Sequence, residues 1–242
     1  MVLAASVAVS GACTSETEVE PPPRDSTAVV AKTETASATV STRTDNANGA
    51  GGRTDRPTIL FVGTSLTAGL GLDPARAYPA LIGRRIDSLG LNYQVINAGV
   101  SGQTSAGTLR SIDWLMRQPV DAVVLETGAN DGLRALSVDS MRANIQAMID
   151  RIRAAHPSAR IYVVGMEAPP NLGPSYTAAF RAVFPELAAR NGATLIPFLL
   201  DGVAGVDSLN QSDGIHPNEK GAVIVAENVW RVLGRDLAGG AR

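Results

Sequence analysis

The sequence is short of cysteine, histidine and aromatic residues, and each shortage closes a class of explanation. A single cysteine, Cys13, rules out an intramolecular disulfide and a thiolate metal cluster. Two histidines, His156 and His216, are all the imidazole in 242 residues. Phe, Trp and Tyr together make up 4% of the chain, so any core must be mainly aliphatic. Neither sign of charge dominates: 21 Lys and Arg against 23 Asp and Glu leave a formal net charge of −2. The basic field that nucleic acid requires is missing, so no nucleic-acid partner is expected.

The N-terminal apolar run, "MVLAASVAVSGAC", is also too short for a membrane span, which needs about 20 residues. Residues 1–13 fit instead the apolar region of an export signal ending in small residues. Ser10-Gly11-Ala12-Cys13 resembles a bacterial lipoprotein signal, in which Cys13 would be lipidated; an unmodified cysteine is the alternative. Residues 14–56 are rich in Thr, Ser, Ala, Glu, Pro and Gly and hold almost nothing large to bury. That composition cannot offset the cost of ordering a chain, and a disordered tether is expected. The location expected is periplasm or cell envelope, with membrane contact only through Cys13, and the protein is expected to be a monomer.

From Pro57 the pattern becomes regular, and residues 57–242 read as one folded domain. Short apolar runs rich in β-branched residues fall at 58–62, 93–97, 121–126, 160–165 and 193–197. Between them lie helical-period segments near 78–89, 104–117, 138–155, 175–191 and 218–234. Alternation of this kind predicts βαβ units and a parallel sheet covered on both faces, an α/β sandwich of three layers. In "MRANIQAMIDRIRAA" the stripe Met141, Ile145, Met148 and Ile152 reads as core. His156, before Pro157 at the end of that segment, reads as a solvated helix-end residue.

In open parallel sheets the functional site lies at the carboxyl ends of the strands. The first strand ends in "GTS", delivering Ser65 on a glycine hinge. The second runs into "NAGVSGQTS", which contains Gly102, and the third into "TGAND", which contains Asn130. "DGIHPNEKG" near the C-terminus places Asp213 three residues before His216. A carboxylate there can fix one imidazole nitrogen and leave the other free as a base, which serine needs to become a nucleophile. Gly102 N–H, the Asn130 amide and the Ser65 N–H are candidate oxyanion donors. Singly, each is ordinary turn or cap chemistry; together they form a set. Asp131, beside Asn130, reads as a turn or cap residue.

These blocks resemble the SGNH hydrolases, also called GDSL-type esterases, over residues 57–235. The likeness is strongest to the bacterial thioesterases, lysophospholipases and arylesterases. It implies a flavodoxin-like fold with a five-stranded parallel sheet. Ser65 would be the nucleophile, Asp213 and His216 would complete a triad, and Ser65, Gly102 and Asn130 would form the oxyanion hole. No metal or organic cofactor is implied, and the partner expected is a small ester or lipid substrate. The family's Gly-Asp-Ser is Gly63-Thr64-Ser65 here, and Thr64→Asp is expected to be tolerated. A carbohydrate O-deacetylase of envelope glycans or an inactive tethered binding module remain alternatives on the sequence.

Overall fold

The structure, a computed structural model, describes residues 56–239. The expectations for residues 1–13 and for all but the last of 14–56, Cys13 included, lie outside the described residues. Five strands form one parallel sheet: β1 (Thr58–Gly63), β2 (Gln94–Gly99), β3 (Ala122–Leu125), β4 (Arg160–Val164) and β5 (Thr194–Ile196). Their order in space is β2-β1-β3-β4-β5. β1 and β3 are buried along their whole length, whereas the edge strand β2 is half-exposed. Burial on both faces explains why β1 and β3 read as continuous apolar runs and "YQVIN" does not.

Five helices match the predicted segments: α2 (Tyr78–Ser88), α3 (Ser105–Leu115), α5 (Val138–Ala155), α6 (Pro174–Arg190) and α7 (Glu219–Gly239). α2 packs on α7, while α3 packs on α5 and α5 on α6. Right-handed crossovers place these two groups on opposite faces once the strand order reverses at β1. Met141, Ile145, Met148 and Ile152 are all buried, as their spacing predicts. Two single-turn helices, α1 (Ser65–Ala68) and α4 (Ala129–Leu133), are too short for periodicity to show.

The strand order determines where a site can form. The chain leaves β1 toward β2 on one side and returns to β3 on the other, opening a crevice at the carboxyl ends of β1 and β3. α1 and α4 begin in that crevice, carrying Ser65 and Asn130. Two expectations need correction. His156 is half-buried rather than solvated, with Nε2 3.0 Å from the carbonyl of Met116, to which it donates. Arg56 belongs with the folded part, because its guanidinium bonds Asp87 at 2.6 Å and also the carbonyl of Tyr93.

Candidate active site

β1 ends at Gly63 because nothing larger fits: an added Cβ would stand 2.0 Å from Thr67 Oγ1 and 2.6 Å from Glu126 Oε2. Thr64 follows in extended backbone as the N-cap of α1, and Ser65 is its first residue. The chain thus turns sharply from strand to helix, which leaves Ser65 at the floor of the crevice with 9% of its surface exposed.

His216 reaches Ser65 from the loop after β5. Its Nε2 is 2.8 Å from Ser65 Oγ, and its Nδ1 is 2.6 Å from Asp213 Oδ2. An ionised carboxylate only accepts, so Nδ1 carries the proton and Nε2 accepts from the serine hydroxyl. The other oxygen, Asp213 Oδ1, accepts the backbone N–H groups of Ile215 (2.9 Å) and His216 (3.0 Å). These bonds, led by the His216 N–H and imidazole, hold the Asp213 carboxyl down at about 2. The side chain remains open to water, so this is a local effect of its own turn.

Gln211 ties this loop to the turn that follows α1. It donates from Nε2 to the carbonyls of Leu70 (2.7 Å) and Pro217 (3.0 Å), and its N–H donates to the His216 carbonyl at 2.7 Å. Sequence reading passed over Gln211, since an isolated glutamine in a loop carries no signal.

Gly102 sits in a turn with φ +79°, a conformation that favours glycine. Asn130, in α4, donates one amide hydrogen to the Gln103 carbonyl at 2.9 Å, leaving the second free. Among the described residues, the N–H groups of Ser65 and Gly102 donate to no acceptor. Ser65, Gly102, Asn130 and His216 all line one cavity of about 500 Å³. Its walls are largely apolar, with Leu66, Leu70, Leu133, Met166, Phe198 and Ile215 prominent. That volume is within the usual range for small-molecule sites, about 300–1,000 Å³.

Glu126 lies beneath the nucleophile turn and was not singled out from the sequence. It is fully buried and accepts the Thr64 N–H at 2.7 Å, the Thr64 hydroxyl at 3.0 Å and the Thr67 hydroxyl at 2.9 Å. Burial pushes its carboxyl up, against the pull of these hydrogen bonds. A charged residue closing an apolar strand, as in "AVVLE", was the available signal. Asp131 is the expected cap: it accepts the Ser105 N–H at 2.7 Å at the start of α3.

This is a three-layer α/β sandwich with its site at the point where the strand order reverses, and the comparisons agree. The GDSL-like Lipase/Acylhydrolase family matches residues 61–224. Esterase TesA of Pseudomonas aeruginosa is 41% identical over 177 residues, 73% of this chain and 87% of that protein. Thioesterase 1/protease 1/lysophospholipase L1 of Escherichia coli K12 is 32% identical over 70% of this chain and 80% of that protein. Among solved structures, that of TesA superposes with a TM-score of 0.70 at 40% identity, covering 74% of this chain and 98% of that one. The SGNH-hydrolase family esterase AlinE4 gives a TM-score of 0.63 at 34% identity, covering 79% of this chain and all of that one. The chain belongs to the GDSL-like lipase/acylhydrolase family and is a carboxylic ester hydrolase.

Proposed function

We propose that the protein hydrolyses esters of apolar acyl groups through a Ser65–His216–Asp213 triad and an acyl-enzyme. The observation that carries this reading is the continuous contact from Asp213 through His216 to Ser65 Oγ, ending at the apolar cavity. His216 Nε2 takes the hydroxyl proton as Ser65 Oγ attacks the acyl carbonyl, and Asp213 stabilises the imidazolium. Ser65 N–H, Gly102 N–H and the free Asn130 amide hydrogen receive the tetrahedral oxyanion. Collapse expels the alcohol, which takes the proton back from His216. Water, deprotonated by the same nitrogen, then attacks the acyl-enzyme, and the acid leaves. A thioester reacts by the same steps with a thiol as leaving group, which fits the thioesterase name of one relative. The cavity walls support an apolar acyl chain over an acetyl group on a sugar. The N-terminal pattern further supports an exported protein held to a membrane by lipid on Cys13.

A panel of p-nitrophenyl esters of increasing acyl length, run beside acetylated sugars, tests the substrate class. Turnover should rise with chain length and stay low on the sugars. A fluorophosphonate should label the parent protein and leave Ser65→Ala unlabelled; an unlabelled parent overturns the covalent mechanism.

A further inference from the structure

The turn after β3 carries a carboxylate at each end, Glu126 and Asp131, with Asn130 between them. Both are buried, at 0% and 3% exposure, and neither forms an ion pair among the described residues. Buried carboxylates without a cation are costly unless hydrogen bonds satisfy them. Their contacts show what they do instead.

Glu126 reaches down the β1 side. Its bonds to the Thr64 N–H, the Thr64 hydroxyl and the Thr67 hydroxyl grip both ends of the single turn that starts at Ser65. Tyr78 backs this grip, with its hydroxyl 2.8 Å from Thr67 Oγ1. Asp131 reaches the other way. It accepts the Ser105 N–H at 2.7 Å and the Ser105 hydroxyl at 2.6 Å, and Asn144 donates to the same hydroxyl at 3.0 Å. Ser105 begins α3 three residues after Gly102. The Gly102 turn is bound to α4 twice more, by Asn130 Nδ2 to the Gln103 carbonyl at 2.9 Å and by Arg134 to the Gly102 carbonyl at 3.1 Å.

We propose that Glu126 and Asp131 are positioning residues that hold the Ser65 turn and the Gly102 turn in register with Asn130, so that the three candidate oxyanion donors converge. The proposal rests on the oxyanion assignment above. Three short segments from different strands must present N–H groups to one point within a few tenths of an ångström. Donors of this kind work at about 2.7–3.1 Å from the oxyanion, and a shift of about 1 Å can cost on the order of 100-fold in rate. A carboxylate suits the task because one group accepts several hydrogens at once. An amide in its place would turn an NH₂ toward an N–H or O–H donor. Arg134 acts on the same turn from outside, where its side chain is exposed.

The test compares Glu126→Gln and Asp131→Asn with the parent, each rate expressed per serine titrated with a fluorophosphonate. The kcat should fall about 10- to 100-fold with KM within about twofold, because the donors act in the transition state. The inhibition constant of an alkyl boronic acid, whose Ser65 adduct is tetrahedral, should rise by about the factor that kcat/KM falls. Arg134→Ala should lower kcat several-fold and Arg134→Lys should restore part of it. A kcat per titrated site within twofold of the parent in both carboxylate variants, with only a lower thermal midpoint, overturns the proposal. Should either variant fail to fold, Thr67→Val and Ser105→Ala remove the opposing donors, and an unchanged kcat per site in both overturns it equally. Full turnover in Ser65→Ala would reject the mechanism and this proposal together, whereas an inactive Ser65→Ala beside normal carboxylate variants rejects the positioning role alone.

Discussion

Thr64 Oγ1 lies 3.0 Å from both carboxylate oxygens of Glu126, and the Thr64 N–H points at the same group from 2.7 Å. The residue immediately before the candidate nucleophile is therefore a double donor to a buried acid. In the sequence Thr64 looks like a passive replacement for the family's aspartate. In the fold it is the partner that makes Glu126 tolerable.

A pH dependence of stability follows. Burial raises the Glu126 carboxyl in the folded state, while the unfolded chain releases that proton in the ordinary carboxylate range. Between these two values the folded protein binds more protons than the unfolded one, so stability falls as pH rises. Tyr78, raised by its own burial and then by Glu126, stays protonated throughout. The unfolding free energy of the parent should decline from about pH 4 upward relative to that of Glu126→Gln, by at most about 1.4 kcal/mol per pH unit. Parallel curves for the two proteins would remove the raised ionisation.

Thr64→Asp, expected from the sequence to be tolerated, now acquires a condition. The new carboxylate would face Glu126 in a buried site, where two like charges about 3 Å apart cannot both ionise. The pair should hold one proton, and the variant should lose stability more steeply than the parent as pH rises. At low pH it should match the parent. Equal thermal midpoints at about pH 8 would show that the pair separates or admits water.

For the catalytic assignment, Ser65→Ala and His216→Ala should each lower kcat on the order of 10⁴-fold or more. Among the described residues, His216 Nδ1 has Asp213 as its only partner, so Asp213→Asn should approach the same loss, on the order of 10³- to 10⁴-fold. Because Asp213 stays ionised down to about pH 2, it should add no ionisation to the acid limb of kcat/KM above that pH. An ionisation in the ordinary carboxylate range in that limb would place another acid in the reaction.

Asn130→Ala should reduce kcat by about 10²- to 10³-fold and leave KM nearly unchanged. The side chain also donates to the Gln103 carbonyl, so a small loss of thermal stability should accompany the kinetic effect. A change confined to KM would make Asn130 a substrate-binding residue.

At the N-terminus, a chain beginning at Arg56 should keep full activity. Starting at Pro57 instead removes the exposed Arg56–Asp87 pair and should cost less than about 1 kcal/mol. Cys13→Ser should release the full chain from membranes without altering its hydrolytic rate. Continued membrane association in that variant would reject lipid anchoring.

The sequence by itself determined the sheet and its main helices. Strand and helix periods differ enough that Ile59 to Val62, Val123 to Leu125 and the Met141–Ile152 stripe announce their burial without neighbours. It also marked the candidate site residues, Ser65, Gly102 and Asn130 in the turns after β1, β2 and β3, and Asp213 and His216 in the loop before α7. What it did not hold was the set of contacts between those segments. Glu126 reads as the last residue of a strand, and only the pairing of β1 beside β3 brings it under Thr64. Gln211 reads as loop, and only the approach of its loop to Leu70 makes it a brace between the histidine and the serine. α1 and α4 are one turn long, so their existence depends on caps and tertiary bonds rather than on an apolar period. Periodicity is a property of one segment and survives in the string of letters. Hydrogen bonds between residues 62 or 141 positions apart exist only after the crossovers have brought their strands and loops together.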